Sequence, residues 1–155
     1  MVKENTKVAE ISVSYRPAVA NKPIIVNALD AYVLFKQFFD EGTISLQESF
    51  MVMYLNRMSR VLGIYPMSIG GITGTVADIR LIFSVALTIA STSILLAHNH
   101  PSGNMKSSKG DIDLTNRIKD AGKLLDIKLL DHLIISPIEG GVLQFCRWRD
   151  IVNFV

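Results

Sequence analysis

A chain of 155 residues has room for a single domain with a sizeable core and is too short for two ordinary ones. With 49% hydrophobic residues, 19% charged residues and a mean hydropathy of +0.33, it is excluded from the class of disordered tails and low-complexity linkers. Sixteen Lys and Arg against fourteen Asp and Glu leave +2, without the concentrated positive charge of a dedicated nucleic-acid binder.

Lys3, Glu4, Lys7 and Glu10 occupy the place where a signal peptide would need an apolar core, so a soluble cytoplasmic protein is expected. Residues 8–15 alternate, Ile11, Val13 and Tyr15 against Glu10, Ser12 and Ser14, which predicts a half-buried strand ended by Arg16-Pro17. Asn27 followed by Asp30 opens a helix over 28–40, with an apolar face that includes Leu29, Val33 and Phe39, and Gly42 stops it. Phe50 to Leu55 is apolar on both faces and reads as an interior strand, turning at Asn56-Arg57 into a second strand, Val61 to Tyr65. Pro66 to Thr75 holds Gly70, Gly71 and Gly74 and reads as a connection, since it lacks the ending of a P-loop and the spacing of a dinucleotide fingerprint. Thr75 and Asp78 repeat the capping pattern ahead of a helix that runs to about Ala90.

Leu81 to Ala97 carries no charge, yet its seventeen residues reach only the lower limit of a membrane span of about 17–25. Its five Ser and Thr residues favour a buried helix followed by a short strand, Ser93 to Ala97. Ser108 and Asp111 form a third capping pattern, and Ile112, Thr115, Ile118, Ala121 and Leu125 mark one side of the helix that follows. Short strands fit residues 127–130, 133–136 and 142–146, the last two joined by a turn at Pro137 to Gly141. Cys146 is the single cysteine, which excludes an intrachain disulfide and a Cys-based zinc finger and points to a reducing compartment. The mixed order of elements predicts a mixed α+β domain, a sheet with helices packed against it.

The chemistry concentrates in His98-Asn99-His100-Pro101-Ser102-Gly103 and the Ser108-Lys109-Gly110-Asp111 that follows. If the strand continues to His100, His98 and His100 point to the same face near its C-terminal end. Pro101 and Gly103 turn the chain, so that the next helix can bring Asp111, in its first turn, back to the same spot. Two imidazoles and a carboxylate suit zinc, with a fourth position left for water. Each piece has a plainer reading: polar residues at a sheet rim for the histidines, a capping box for Ser108 and Asp111. Together, with the Pro-Ser-Gly turn between them, they specify more than capping requires.

These residues resemble the JAMM (MPN+) metalloprotease motif, in which His-x-His-Pro is followed by Ser-x-x-Asp, and more closely its bacterial RadC-like branch. The stretch at 98–103, Gln47-Glu48-Ser49-Phe50, the alanine-containing helix before His98, and Leu130-Asp131-His132 all look like that branch, over roughly residues 25–146. The resemblance implies a single MPN/JAB-type domain of cytidine deaminase-like arrangement, between an N-terminal extension at 1–24 and a tail at 147–155. It implies one zinc ion per chain on His98, His100 and Asp111. Ser108 then hydrogen-bonds the oxyanion of a tetrahedral intermediate, and Glu48 activates the water. Read from the residues alone, Glu48 is either such a base, partly desolvated where the interior strand begins, or a solvated strand-end acid. Two positions depart from the branch: Ile79-Arg80-Leu81 stands for its Pro-Arg-Glu, and Asn56 for its Asp. Full-length proteins of the branch carry an N-terminal helix-hairpin-helix region, which residues 1–24 do not read as.

The activity so implied is zinc-dependent hydrolysis of an amide or isopeptide bond in a peptide or small conjugate. A DNA-repair-associated factor or metal-dependent nuclease is a second reading. Lys106, Lys109, Arg117, Lys119 and Lys123 are interleaved with Asp111, Asp113 and Asp120, more a solvated helix face than a DNA track. A third reading is a non-catalytic interaction module on the same fold. His132 is expected in a hydrogen-bonding role near the site. Trp148, between Arg147 and Arg149, fits either partner stacking or cover for a sheet edge, and the Gly-rich loop and apolar C-terminus leave room for self-association.

Overall fold

A side-chain oxygen that can reach the backbone N–H groups two and three residues ahead starts a helix by satisfying donors that have no partner within it. In the computed structural model, which describes residues 12–17, 21–71, 76–138 and 142–144, the Asn27 and Ser108 capping boxes both form. The chain runs α1 (Ala28–Lys36), β1 (Ser49–Leu55), β2 (Val61–Ile69), α2 (Ile79–Thr88), β3 (Ser93–Asn99), α3 (Lys109–Leu124), β4 (Lys128–Ile135) and β5 (Val142–Gln144). The strands make one sheet in the order β2-β1-β3-β4-β5. Among the described residues only β3 and β4 pair in parallel, joined through α3, and the other strand pairs are antiparallel.

Helices cover both faces, which is why β1 and β3 read as continuous apolar runs. On one face Ala31 and Phe35 of α1 pack on Met51, Met53, Leu55, Leu95, Ala97 and Leu133. On the other, Ile82, Phe83 and Ala86 of α2 and Ile118 of α3 pack on Phe50, Val52, Tyr54, Ile94 and Leu96. Each fully buried Leu, Ile, Val, Met or Phe side chain among them contributes about 1.5–3 kcal/mol. The uncharged run from Leu81 to Ala97 is thus divided between α2 and β3, and no helix among the described residues is long and apolar enough to cross a membrane.

Several elements differ from their expected form. Helix α1 ends at Lys36 rather than at residue 40, because Asp40 organises a separate turn: its Oδ1 accepts from Gly42 N–H at 2.9 Å and its carbonyl from Ile44 N–H at 2.8 Å. Leu29 and Val33 face outward, 64% and 51% exposed, while the small Ala28 and Ala31 let the helix lie close to the sheet. On α3 the buried line is Thr115, Ile118 and Gly122; Ile112 and Leu125 lie exposed beside it. Residues 12–15 form no strand and Val13 is exposed; Tyr15 reaches β2 by its side chain, whose hydroxyl donates to the Leu62 carbonyl at 2.8 Å. Strand β2 continues past Tyr65 to Ile69, since it is a sheet edge, where Pro66 forfeits no ladder bond that the sheet needs. Asp78 caps α2, its Oδ1 accepting from Arg80 N–H at 2.9 Å. Thr75, Gly74, residues 8–11, the turn at 139–141 and Cys146 to Arg149 lie outside the described residues.

The strands expected at 127–130 and 133–136 are one strand, β4, with a bulge. Ile94 pairs with Leu129 and Leu95 with Asp131, so Leu130 is the extra residue. The Asp131 carboxylate accepts from His132 N–H at 2.7 Å at that irregularity. An added residue reverses which face the rest of the strand presents, and His132 therefore turns toward α3 instead of α1.

Asn99 ties the segment before β1 to the end of β3. Its Nδ2 donates to the Ile44 and Gln47 carbonyls at 2.7 and 2.9 Å, and its Oδ1 accepts from Ser49 N–H at 2.7 Å. At the other end of the unit, a Cβ on Gly122 would run into the Ile127 carbonyl, while the Gly122 carbonyl accepts from Ile127 N–H at 2.9 Å. Two losses of stability are expected in chemical denaturation. Asn99→Leu strands three backbone groups and should cost about 2–4 kcal/mol. Gly122→Ala should cost about 1–3 kcal/mol by overpacking the turn into β4. A change within about 0.5 kcal/mol, the usual range for a surface substitution, would contradict either role.

Candidate metal centre

Alternate residues of a strand share a face, so β3 turns Ile94, Leu96 and His98 toward α2 and α3, and His100 follows just beyond the strand end. The chain then reverses: Gly103, at φ 74°, closes a turn in which its N–H donates to the His100 carbonyl at 2.9 Å. That reversal brings the first turn of α3 over the two imidazoles. Ser108 caps the helix by accepting from Asp111 N–H at 3.1 Å, and Asp111 Oδ2 accepts from Ser108 N–H at 2.7 Å. Capping thereby fixes the Asp111 carboxylate, with Oδ1 3.4 Å from His98 Nε2 and Oδ2 3.5 Å from His100 Nε2.

The two Nε2 atoms are 2.9 Å apart. His100 Nδ1 meets the Asn104 carbonyl, which only accepts, so its proton is on Nδ1 and its Nε2 presents a lone pair. One ligand atom from each of His98, His100 and Asp111 lies within 4.8 Å of the others, a donor set of two imidazoles and a carboxylate that fits a single divalent ion. The side chain of His98 is 1% exposed, those of His100 and Asp111 15% each, so the group opens to solvent on one side only.

Electrostatics favour the ionised form of Asp111. Burial alone would raise the Asp111 carboxyl, but the adjacent His98 and the hydrogen bonds from Ser108 outweigh it and hold the group well below the usual carboxylate range. Behind His98 lies His132, fully buried, its Nε2 2.8 Å from His98 Nδ1. Burial, with the neighbouring His98 imidazole adding to it, keeps His132 neutral by pushing its pKa well below that of free imidazole. Phe50 walls the pair, stacked on His98 at 6.2 Å between centroids and edge-on to His132 at 5.5 Å.

Glu48 lies half-buried immediately before β1. Its N–H donates to the Gly71 carbonyl at 3.2 Å and its carbonyl accepts from Gly70 N–H at 2.7 Å. Phe50 pairs with His98 in the antiparallel register, so two residues back Glu48 falls on the same face, level with His100. Glu48 is not among the three clustered ligands. The structure thus brings together the expected ligand residues, with Ser108 at the cap and Glu48 at the adjoining strand.

Two residues of the site were missed in the sequence. Thr115 reads there as part of an apolar stripe; the signal was a hydroxyl on a line that is otherwise buried and apolar. Asn99 lies between the histidines in sequence but bonds to the opposite side of the sheet; its signal was an amide inside a strand.

A model of the RadC-like JAB domain family matches residues 25–145, which takes in every one of these positions. A UPF0758 protein of Flavobacterium johnsoniae is 40% identical over 112 residues, 72% of this chain and 48% of that protein. One of Porphyromonas gingivalis is 41% identical over 99 residues, 64% of this chain and 43% of its own length. One of Thermosynechococcus vestitus is 41% identical over 109 residues, 70% and 42% respectively. The chain spans less than half the length of each of these relatives. With the mixed sheet, the paired histidines and the capping aspartate in place over the matched span, the chain belongs to the RadC-like JAB domain family.

Proposed function

We propose that the chain is a zinc-dependent hydrolase of amide or isopeptide bonds, of the JAMM type. The observation that carries this reading is the pair of Nε2 atoms 2.9 Å apart beneath the Asp111 carboxylate, a set of acceptors with room for one cation and an open side. When bound, the ion supplies a Lewis acid and lowers the pKa of a coordinated water from about 15.7 to about 7. His98, His100 and Asp111 hold it.

The remaining work falls to two side chains. Glu48, half-buried at the entry to β1, takes a proton from the attacking water and passes it to the departing amine, the usual shuttle of such a carboxylate. Ser108 Oγ accepts from Asp111 N–H at 3.1 Å, and its one proton, which in the free protein helps to hold the Asp111 carboxylate, swings to the carbonyl oxygen as negative charge develops there. The substrate class is a peptide, an isopeptide or a small amide conjugate. On α3 the basic residues are interleaved with Asp113 and Asp120, and Lys123 is paired with Asp120 at 2.9 Å, an arrangement that gives a phosphate backbone little purchase.

Plasma mass spectrometry on untagged protein purified without chelators should find close to one zinc per chain, and His100→Ala should lose it. A wild-type protein that takes up no metal even when zinc is offered overturns the hydrolase reading. With a fluorogenic isopeptide library as probe, Glu48→Gln is expected to keep its zinc and lose about 100- to 10,000-fold in rate. Ser108→Ala should lose about 100- to 1000-fold, again with the metal retained. Equal rates in wild type and Glu48→Gln would remove Glu48 from the mechanism.

A further inference from the structure

Of the three buried residues of α3, Thr115, Ile118 and Gly122, only Thr115 carries a polar side chain. Its Oγ1 touches two groups: the Asp111 carbonyl at 2.5 Å, one helical turn back, and His132 Nδ1 at 2.7 Å. A hydroxyl has one proton, and a carbonyl oxygen only accepts. At 2.5 Å the proton must lie between Thr115 and Asp111, since two lone pairs would not approach so closely. Oγ1 therefore offers a lone pair to His132, whose proton must be on Nδ1. His132 Nε2 is then the acceptor in its 2.8 Å contact with His98 Nδ1, which places the proton of His98 on Nδ1 as well.

We infer that Thr115 and His132 are positioning residues that set the tautomer of His98, so that its Nε2 faces the metal position without a proton. The inference rests on the metal-centre reading and adds what keeps that centre competent. His100 reaches the same tautomer by its own route, through the Asn104 carbonyl, so that two bare Nε2 atoms 2.9 Å apart and the Asp111 carboxylate face one another, a set of acceptors that a cation held between them would satisfy. The His98 side chain is 1% exposed and walled by Phe50, so its tautomer is set by the partners it meets inside the protein. Remove the Thr115 oxygen and the balance reverses. His132 then prefers its proton on Nε2, donates it to His98 Nδ1, and drives the His98 proton onto Nε2, where a ligand lone pair is needed.

His98, His100 and His132 are the only three histidines in the chain, so the ring-nitrogen spectrum of untagged protein holds three imidazoles and no others. The test compares wild type, Thr115→Val, which keeps shape and loses the hydroxyl, and Thr115→Ser, which restores it. Long-range proton–nitrogen NMR on metal-free protein, recorded well above the pKa of free imidazole, reads the tautomers. Competition with a chromogenic chelator reads zinc affinity. Wild type and Thr115→Ser should show His98 protonated on Nδ1. Thr115→Val should show it on Nε2, with zinc affinity lower by about 10- to 100-fold. A wild-type His98 protonated on Nε2 overturns the inference, and this holds even where Thr115→Val fails to fold. A loss of affinity without a tautomer change, or a tautomer change without a loss, overturns it too. Wild-type protein that takes up no zinc sinks the hydrolase reading instead, and the tautomers of wild type and Thr115→Val then settle the relay alone.

Discussion

Everything at this site depends on the parallel pairing of β3 with β4. Parallel neighbours need a crossover, here α3, and a crossover begins where the first strand ends. The end of β3 delivers His98 and His100; the start of α3 delivers Asp111; β4, running alongside, delivers His132 opposite Leu96. Because β1 is antiparallel to β3, its beginning arrives at the same edge and brings Glu48 with it. His98, His100, Asp111 and His132 thus meet at one end of the sheet, where the segment leading into β1 also arrives.

The same edge carries an unusual load of buried polar groups: His98, Asn99, Thr115 and His132 are all 5% exposed or less. Burying each one unpaired would cost more than the packing around it returns. They are tolerated because each is bonded to another or to backbone: His98 to His132, His132 to Thr115, Thr115 to Asp111, and Asn99 to the segment before β1. Phe50 separates this polar cluster from the apolar core further along the sheet. A network of this kind fixes ring orientations more firmly than packing could, since a rotated imidazole would leave two partners unsatisfied.

What could be read in the sequence was what is decided locally. The Asn27 and Ser108 caps lie within four residues of their partners, and the shared face of His98 and His100 follows from the pleat of one strand. What could not be read depends on distant groups. Leu29 and Val33 look like the core side of α1, yet the sheet receives Ala28 and Ala31 because they allow closer approach. Strand β4 looks like two strands because Asp131-His132 interrupts an apolar run, and only the pairing with β3 exposes the extra residue at Leu130. Thr115 is a helix residue like any other until His132 is placed beside it from the next strand. The grouping of His98, His100 and Asp111 was legible for the same local reasons as the caps, and the buried groups behind His98 were not.

Asp111 enters the arrangement twice. Its carboxylate faces the two Nε2 atoms, and its carbonyl receives the Thr115 hydroxyl that ends the chain of bonds from His98. The contacts therefore close into a ring that leaves the helix through one group of Asp111 and returns through another. Sliding or fraying of the first turn of α3 would lengthen a ligand contact and release the proton ordering behind His98 in the same motion. The two contacts are therefore tied together through one residue, and the cap at Ser108 holds that residue in place for both.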